Sequence, residues 1–242
     1  MLRAVSYLTA LIVLTFWYGM RTIIAAAFRV PNRTGGVYDR CNRGWARGLL
    51  RAAGVTVSTV GMEKVPRDRP VVYASNHQSF FDILAYAATI PGTMRFVSKI
   101  ELSRVPILGP AMRASGHIFI DRFNRQRALG AYEETAKVVR AGLSAVVFPE
   151  GTRSRTGELL PFKKGPFVFA IAAQVPVVPA YCAGTFDILP KGSIRVHPKP
   201  VTLCFGEPIE TTGMDYEDRE ALMQRTRAAV ERLRTDSSTH QR

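Results

Sequence analysis

Cysteine is scarce in this chain: Cys41, Cys182 and Cys204 stand far apart, without a CxxC or Cys/His pairing. Neither a disulfide framework nor a zinc centre can be read from them, and packing roles in a reducing compartment suit them. No histidine, cysteine or carboxylate cluster has metal-ligand spacing, so no metal is expected. Acidic residues are in the minority, 19 against 33 Lys and Arg, for a formal net charge of +14. That excess predicts attraction to phosphate-bearing partners: nucleic acid, an anionic membrane face or an anionic substrate. Helix-turn-helix, zinc and aromatic-stacking signatures are missing, which weighs against nucleic acid. No repeat, low-complexity tract or Pro/Gly/Ser linker divides the 242 residues, a length suited to one domain with a sizeable core.

Charge is absent altogether from Ala4 to Met20 (AVSYLTALIVLTFWYGM), and after Arg21 the apolar run resumes to Phe28. As a helix, Ala4 to Met20 spans roughly 26 Å, slightly short of the ~30 Å hydrocarbon core, whereas the run to Phe28 is ample. A signal peptide competes, since AAAF offers small residues for cleavage, but Arg21 interrupts the run and only Arg3 precedes it. Arg21, Arg29, Arg33, Arg40, Arg43, Arg47 and Arg51 follow the segment. The positive-inside rule therefore places the body on the cytoplasmic face of the cell membrane. Whether the segment spans the bilayer or bends at Gly19 to lie in one leaflet stays open. The expected organisation is a membrane anchor over residues 1–30, a folded body over 31–236 and a flexible tail over 237–242.

Beyond the anchor, GWARGLLRAAG reads as an amphipathic helix, whose arginines suit lipid headgroups and equally suit an ordinary surface helix. From Val55 onward short apolar runs alternate with helical patterns: VTVSTVG, PVVYAS, MRFVS, HIFI, SAVVF, VPVVPAY, IRV and VTLCFG. This alternation predicts an α/β fold with a mixed, largely parallel sheet flanked by helices, behind an N-terminal membrane-associating helical segment. Asn124 is the expected N-cap and Gly142 the C-terminal glycine of one helix, with Leu129, Tyr132, Ala136 and Val139 as its apolar stripe. A charged amphipathic helix over 215–234 closes the fold.

Four strand ends collect chemistry. His77 follows the strand PVVYAS and Asp82 opens the helical FFDILAYAAT, so both sit where ligands bind in open α/β sheets. A strand-to-helix turn lets Asp82 accept from one imidazole nitrogen and leaves the other as a base. Capping by Asn76 or Ser79 is an alternative reading of the same stretch. No GxSxG elbow supplies a nucleophile, which suits a reaction whose substrate hydroxyl is the nucleophile. Lys99 and Arg122 end two further strands, each as well read as a surface charge. In FPEGTRSRTGELLPFKKG, the residues Glu150, Gly151, Thr152 and Arg153 follow the strand SAVVF, where glycine lets backbone amides approach an anion and arginine forks onto phosphate. It is not a Walker loop, because GxxxxGK[ST] is absent.

Taken together, Asn76-His77 through Asp82, Lys99 with ELSRVPILG and Arg122, FPEGTRS, and VPVVPA resemble the four ordered blocks of the HxxxxD glycerolipid acyltransferases, over about residues 70 to 185. Each block alone is a weak signal; four in the family's order are specific. The resemblance implies that His77 and Asp82 are catalytic, and that Lys99, Arg122, Glu150, Gly151, Thr152 and Arg153 bind the acceptor's phosphate. It implies transfer of a fatty acyl group from acyl-CoA or acyl carrier protein to the 2-hydroxyl of lysophosphatidic acid, making phosphatidic acid for phospholipid biosynthesis, with no cofactor and with the bilayer as partner. The oxyanion donors are expected among backbone amides beside the HxxxxD turn. Another lysophospholipid, a lyso-aminolipid or glycerol-3-phosphate as acceptor, and a non-catalytic lipid-binding protein, stand as alternatives.

Overall fold

A computed structural model of the chain describes residues 2–121 and 136–240. The described strands are β1 (Val57–Val60), β2 (Val72–Ser75), β3 (Met94–Lys99), β4 (Ile118–Ile120), β5 (Ser144–Val147), β6 (Val177–Ala183) and β7 (Val201–Phe205). They form one sheet in the order β1-β7-β6-β2-β5-β3-β4, in which only the β6–β7 pair is antiparallel. The helices are α1 (Leu2–Ala27), α2 (Val37–Ala53), α3 (Phe81–Thr89), α4 (Leu108–Ala114), α5 (Gly165–Ala173), α6 (Thr185–Ile188) and α7 (Arg219–His240). The mixed, largely parallel sheet is thus the one that the alternation predicts.

Residues alternate between the two faces of each strand, and both faces are covered. Val72, Ala74, Ala145, Val147, Val177 and Tyr181 pack with Phe167, Phe169, Leu222 and Val230 of α5 and α7. Tyr73, Val146, Val178, Ala180 and Cys182 pack with Leu49, Phe81, Leu84 and Tyr86 of α2 and α3. This is why β2 and β6 are buried at every position and read as continuous apolar runs.

Of the expected strands, IRV does not form. Residues 191–200 are a connector with Ile194 83% exposed, because Pro198 and Pro200 withhold the N–H groups a ladder needs. Helix α7 continues to His240, with Ser237 Oγ donating to the Arg234 carbonyl (2.8 Å), where a tail was expected from residue 237. The expected cap Asn124 and stripe residues Leu129 and Tyr132 lie outside the described residues; Ala136 and Val139, on the described helical turn 136–140, are fully buried.

Helix α1 is unbroken through Gly19. Glycines let it lie close to its neighbours: a Cβ at Gly44 or Gly48 would come within 2.7 Å of Tyr18 or 2.9 Å of Leu14, and one at Gly19 within 2.6 Å of Ile107. Small residues four apart allow such close helix approach. Trp45 Nε1 donates to Thr15 Oγ1 (3.0 Å), and Tyr7 stacks on Phe81 (5.6 Å). The opposite side of α1 exposes Val5, Leu8, Ile12, Phe16 and Trp17. Among the described residues α1 is the one helix long and apolar enough to cross a membrane. Two α2 arginines are already engaged: Arg43 donates to the Ile90 (3.1 Å) and Gly92 (3.2 Å) carbonyls and Arg47 to Ala88 (3.2 Å). They neutralise the carbonyl end of α3, a role that headgroup binding does not require.

A buried ion pair holds the α1–α2 turn against the sheet. Arg95, 1% exposed, places Nη1 2.8 Å from Asp39 Oδ1 and Nη2 2.8 Å from Asn32 Oδ1. Asp39 Oδ2 also accepts from Gly35 N (2.9 Å) and Thr93 Oγ1. Removing one member of such a pair strands the other in a low-dielectric interior. Asp39→Ala should therefore cost about 3–5 kcal/mol in denaturant unfolding; a loss comparable to that of a surface substitution would remove the pair from its structural role.

Candidate active site

Asn76 sets the entry to the site. At the end of β2 its side chain behaves like one more sheet residue, accepting from Cys182 N (2.7 Å) and donating to Cys182 O (3.1 Å). The chain then wraps around a carboxylate. Asp82 is fully buried, and its Oδ2 accepts from Gln78 N (2.7 Å) and Ser79 N (2.9 Å) and lies 2.8 Å from His77 Nδ1. Oδ1 accepts from the Thr185 hydroxyl on α6. With Asp82 accepting, the ring hydrogen sits on Nδ1 and Nε2 keeps its lone pair. The base and cap readings of this stretch therefore merge, because Asp82 both satisfies the turn's amides and orients the imidazole. Phe148, just past β5, stacks on the His77 ring at 4.1 Å and 15°.

Neither nearby serine serves as a nucleophile: Ser75 Oγ donates to Asn76 Oδ1 (3.1 Å) and Ser79 Oγ to the Leu189 carbonyl (2.8 Å). The turn's own amides are also spent. His77 N donates to Glu150 Oε1 (2.6 Å), and Gln78 N and Ser79 N go to Asp82. These three N–H groups, where the oxyanion donors were expected, have no capacity left for substrate.

Glu150 differs from its expected place among the phosphate-binding residues. It is 3% exposed, with Oε1 on His77 N and Oε2 on Leu160 N (3.0 Å). It ties the loop after β5 to the His77 turn, assisted by Ser154 N donating to the His77 carbonyl (2.8 Å). Burial pushes the Glu150 carboxyl up to about 7 against the pull of its two N–H donors, and the Asp82 charge adds to the rise.

Gly151 has φ +72° and lies against Lys163, whose Cε would be 3.0 Å from an added Cβ; the left-handed backbone favours glycine there. Thr152 Oγ1 and the Arg153 carbonyl accept from Lys191 Nζ (2.8 and 3.3 Å). Lys191 was not legible in the sequence: it lies in the α6–β7 connector outside any motif, and the fold brings it to the cavity. Lys99, Gly151, Thr152, Arg153, Lys191 and His77 line one cavity of about 400 Å³. Its other walls are largely apolar, including Phe80, Phe96, Leu108 and Met112, and Gly19 and Trp45 bring α1 and α2 against it. Arg122 lies outside the described residues. Lys99 and Arg153 have no carboxylate partner among them.

The position of Glu150 sets a pH dependence. Its carboxyl titrates near 7 in the folded chain and near 4.5 when unfolded, so the folded state binds the extra proton between those values. The stability it contributes is complete below about 4.5 and is lost as pH rises through about 7. Unfolding measured across that window should show the wild type losing stability relative to Glu150→Gln as pH rises. A constant difference would mean that Glu150 stays ionised throughout.

Residues 56–183 match the model of the family described as Acyltransferase. The 1-acyl-sn-glycerol-3-phosphate acyltransferase of Cocos nucifera is 32% identical over 88% of this chain and 68% of its own length. The alpha form from Homo sapiens is 34% identical over 73% of this chain and 63% of its own. The chain spans only 39% of the chloroplastic BAT2 enzyme of Brassica napus, at 40% identity over 55% of this chain. Among solved structures, the 1-acyl-sn-glycerophosphate (LPA) acyltransferase PlsC from Thermotoga maritima superposes with a TM-score of 0.79 at 26% identity, covering 96% of this chain and 95% of that one. The family match covers more than half of the 242 residues and takes in His77, Asp82 and the 150–153 loop: the chain belongs to the acyltransferase family.

Proposed function

We propose that this protein transfers a fatty acyl group from acyl-CoA or acyl carrier protein to the 2-hydroxyl of lysophosphatidic acid, giving phosphatidic acid. The observation that carries the reading is the placing of His77. Its Nδ1 is held by Asp82, and its ring lines a largely apolar cavity that Lys99, Arg153 and Lys191 share. A base, an apolar chamber and an anion site thus occur in one space. The similarity to 1-acyl-sn-glycerol-3-phosphate acyltransferases supports this choice of acceptor.

His77 Nε2 takes the proton of the acceptor hydroxyl as its oxygen attacks the thioester carbonyl, a service worth about 10²–10⁴ in rate. Asp82 stabilises the imidazolium that forms. The tetrahedral intermediate then collapses, the C–S bond breaks, and the imidazolium returns the proton to the departing thiolate. The thioester is already activated, so no acyl-enzyme is needed. Arg153, Lys99 and Lys191 hold the phosphate, which converts the hydroxyl's encounter with His77 into a positioned one. Thr152 and Gly151 shape the loop, and Glu150 positions His77 from behind. Arg122 joins this group from the family pattern.

Residues 1–30 are the anchor and 31–236 the acyltransferase domain. Helix α1 contacts the body from Tyr7 to Gly19, so its outward apolar stripe is what meets lipid, and the chamber opens beside the bilayer that carries its substrates. The arginines following α1 support the cytoplasmic face of the cell membrane as its site.

Purified protein in detergent, given labelled acyl-CoA or acyl carrier protein and a panel of lysolipids, should place label in phosphatidic acid. Label in another lysolipid would reassign the acceptor, and label released as free fatty acid would make the protein a thioesterase. His77→Ala, still folded, should lose at least about 10²-fold in turnover; near-wild-type turnover would end its assignment as base. Arg153→Ala should raise the KM for the acceptor about tenfold or more, the size of a lost charge-assisted hydrogen bond, while the donor's KM stays within about twofold of wild type. A change confined to the donor would contradict the phosphate role.

A further inference from the structure

His77 is not the only histidine in the chamber. His117, which precedes β4, lines the same cavity, and its Nδ1 accepts from the Phe96 backbone N–H (3.0 Å) while its ring stacks on Phe96 (5.8 Å, 18°). A backbone N–H can only donate, so Nδ1 must present its lone pair, and in a neutral imidazole the hydrogen then resides on Nε2. The ring is held neutral: burial, followed by the Arg95 charge, drives its pKa down to about 3, against a smaller pull upward from Asp39. Nε2–H lies on the edge of the ring away from β3 and has no partner among the described residues. Ser115 Oγ and the Asn42 amide line the same chamber, likewise without side-chain partners among the described residues.

The sheet register fixes how far this donor lies from the reacting centre. Phe96 is level with Val146, and Phe148, whose ring stacks on His77, follows two residues later. At about 3.3 Å per residue His117 therefore lies roughly 7 Å before the His77 ring along the strand direction, beside a part of the acyl chain some carbons beyond the thioester carbonyl.

We infer that His117 is a specificity-determining residue, whose Nε2–H donates to an oxygen carried part-way along the acyl chain of the substrate, such as a mid-chain hydroxyl. A methylene chain running past this donor would strip its water and return nothing, whereas a chain oxygen would satisfy it. This rests on the acyl-transfer reading above, with the acyl chain in the chamber.

The test compares stearoyl-CoA with its mid-chain hydroxy derivatives in two assays. One is transfer to lysophosphatidic acid. The other is binding without turnover, followed by the fluorescence of Trp45, which lines the same cavity. His117→Phe keeps a ring against Phe96 and withdraws the Nε2–H, with plain stearoyl transfer reporting that the variant is folded. The preference for a hydroxylated over a plain chain, as a ratio of Kd values and of kcat/KM values, should fall by about tenfold in the variant, the scale of one unsatisfied buried donor. Plain stearoyl transfer should persist in both proteins. An unchanged ratio overturns the inference and leaves Nε2–H to an ordered water. Discriminating binding with no transfer by the wild type would instead retain the His117 site and overturn the acyltransferase reading.

Discussion

The site depends on a single buried carboxylate. Asp82 collects four donors: the Nδ1–H of His77, two backbone N–H groups and the Thr185 hydroxyl. A carboxylate deep in a fold is costly unless such donors surround it, and these come from two places in the chain: the turn after β2 and the start of α6. Supplying them forces the turn to wrap around Asp82, and the wrapping carries His77 to the carboxyl edge of the sheet. The geometry of the base is therefore a by-product of satisfying the acid. A Ser-His-Asp site must hold a third group in register; here Ser75 and Ser79 are spent on backbone and Asn76, which keeps the imidazole clear for an incoming hydroxyl.

Helix α1 solves a different constraint. A helix apolar on every side needs a partner on every side, and this one has two kinds. Toward the body, Gly44 and Gly48 lower the surface of α2 so that Leu14 and Tyr18 can settle on it. Outward, Val5, Leu8, Ile12 and Phe16 follow the three-and-four spacing of a single stripe. The Arg95–Asp39 pair fastens the turn behind α1 to β3, and β3 ends in Lys99. Apolar helix, buried ion pair and cationic rim are thus consecutive links of one packed structure, and α1 forms part of the chamber wall.

The sheet was legible because most of its strands are buried on both faces and show as apolar runs; IRV looked the same locally and failed only because prolines follow it. His77, Asp82 and the 150–153 loop were legible as polar islands at strand ends. What could not be read was the use of each polar atom. Glu150 stands beside Arg153 in a loop that suggests anion binding, yet its oxygens face inward to His77 N and Leu160 N, a choice made by tertiary contacts 73 and 10 residues away. Lys191 carries no local signal at all, because its place at the rim comes from the return of the chain after β6. Arg47 looked like a headgroup ligand until α3 supplied a carbonyl within its reach.

Charge is sorted around His77 with acids inside and cations outside. Asp82 and Glu150 lie beneath the imidazole and its backbone, both buried, while Lys99, Arg153 and Lys191 occupy the chamber wall. Burial is the main reason that Glu150 rises to about 7, and the nearby Asp82 charge adds a smaller push in the same direction. Asp82, held by four donors, remains the acceptor that a forming imidazolium needs. In the proposed reaction this separation favours an acceptor whose phosphate stays at the cationic rim while its uncharged glycerol end reaches Nε2. An acceptor oriented by charge in this way presents its hydroxyl to the base without the protein having to recognise the hydroxyl itself.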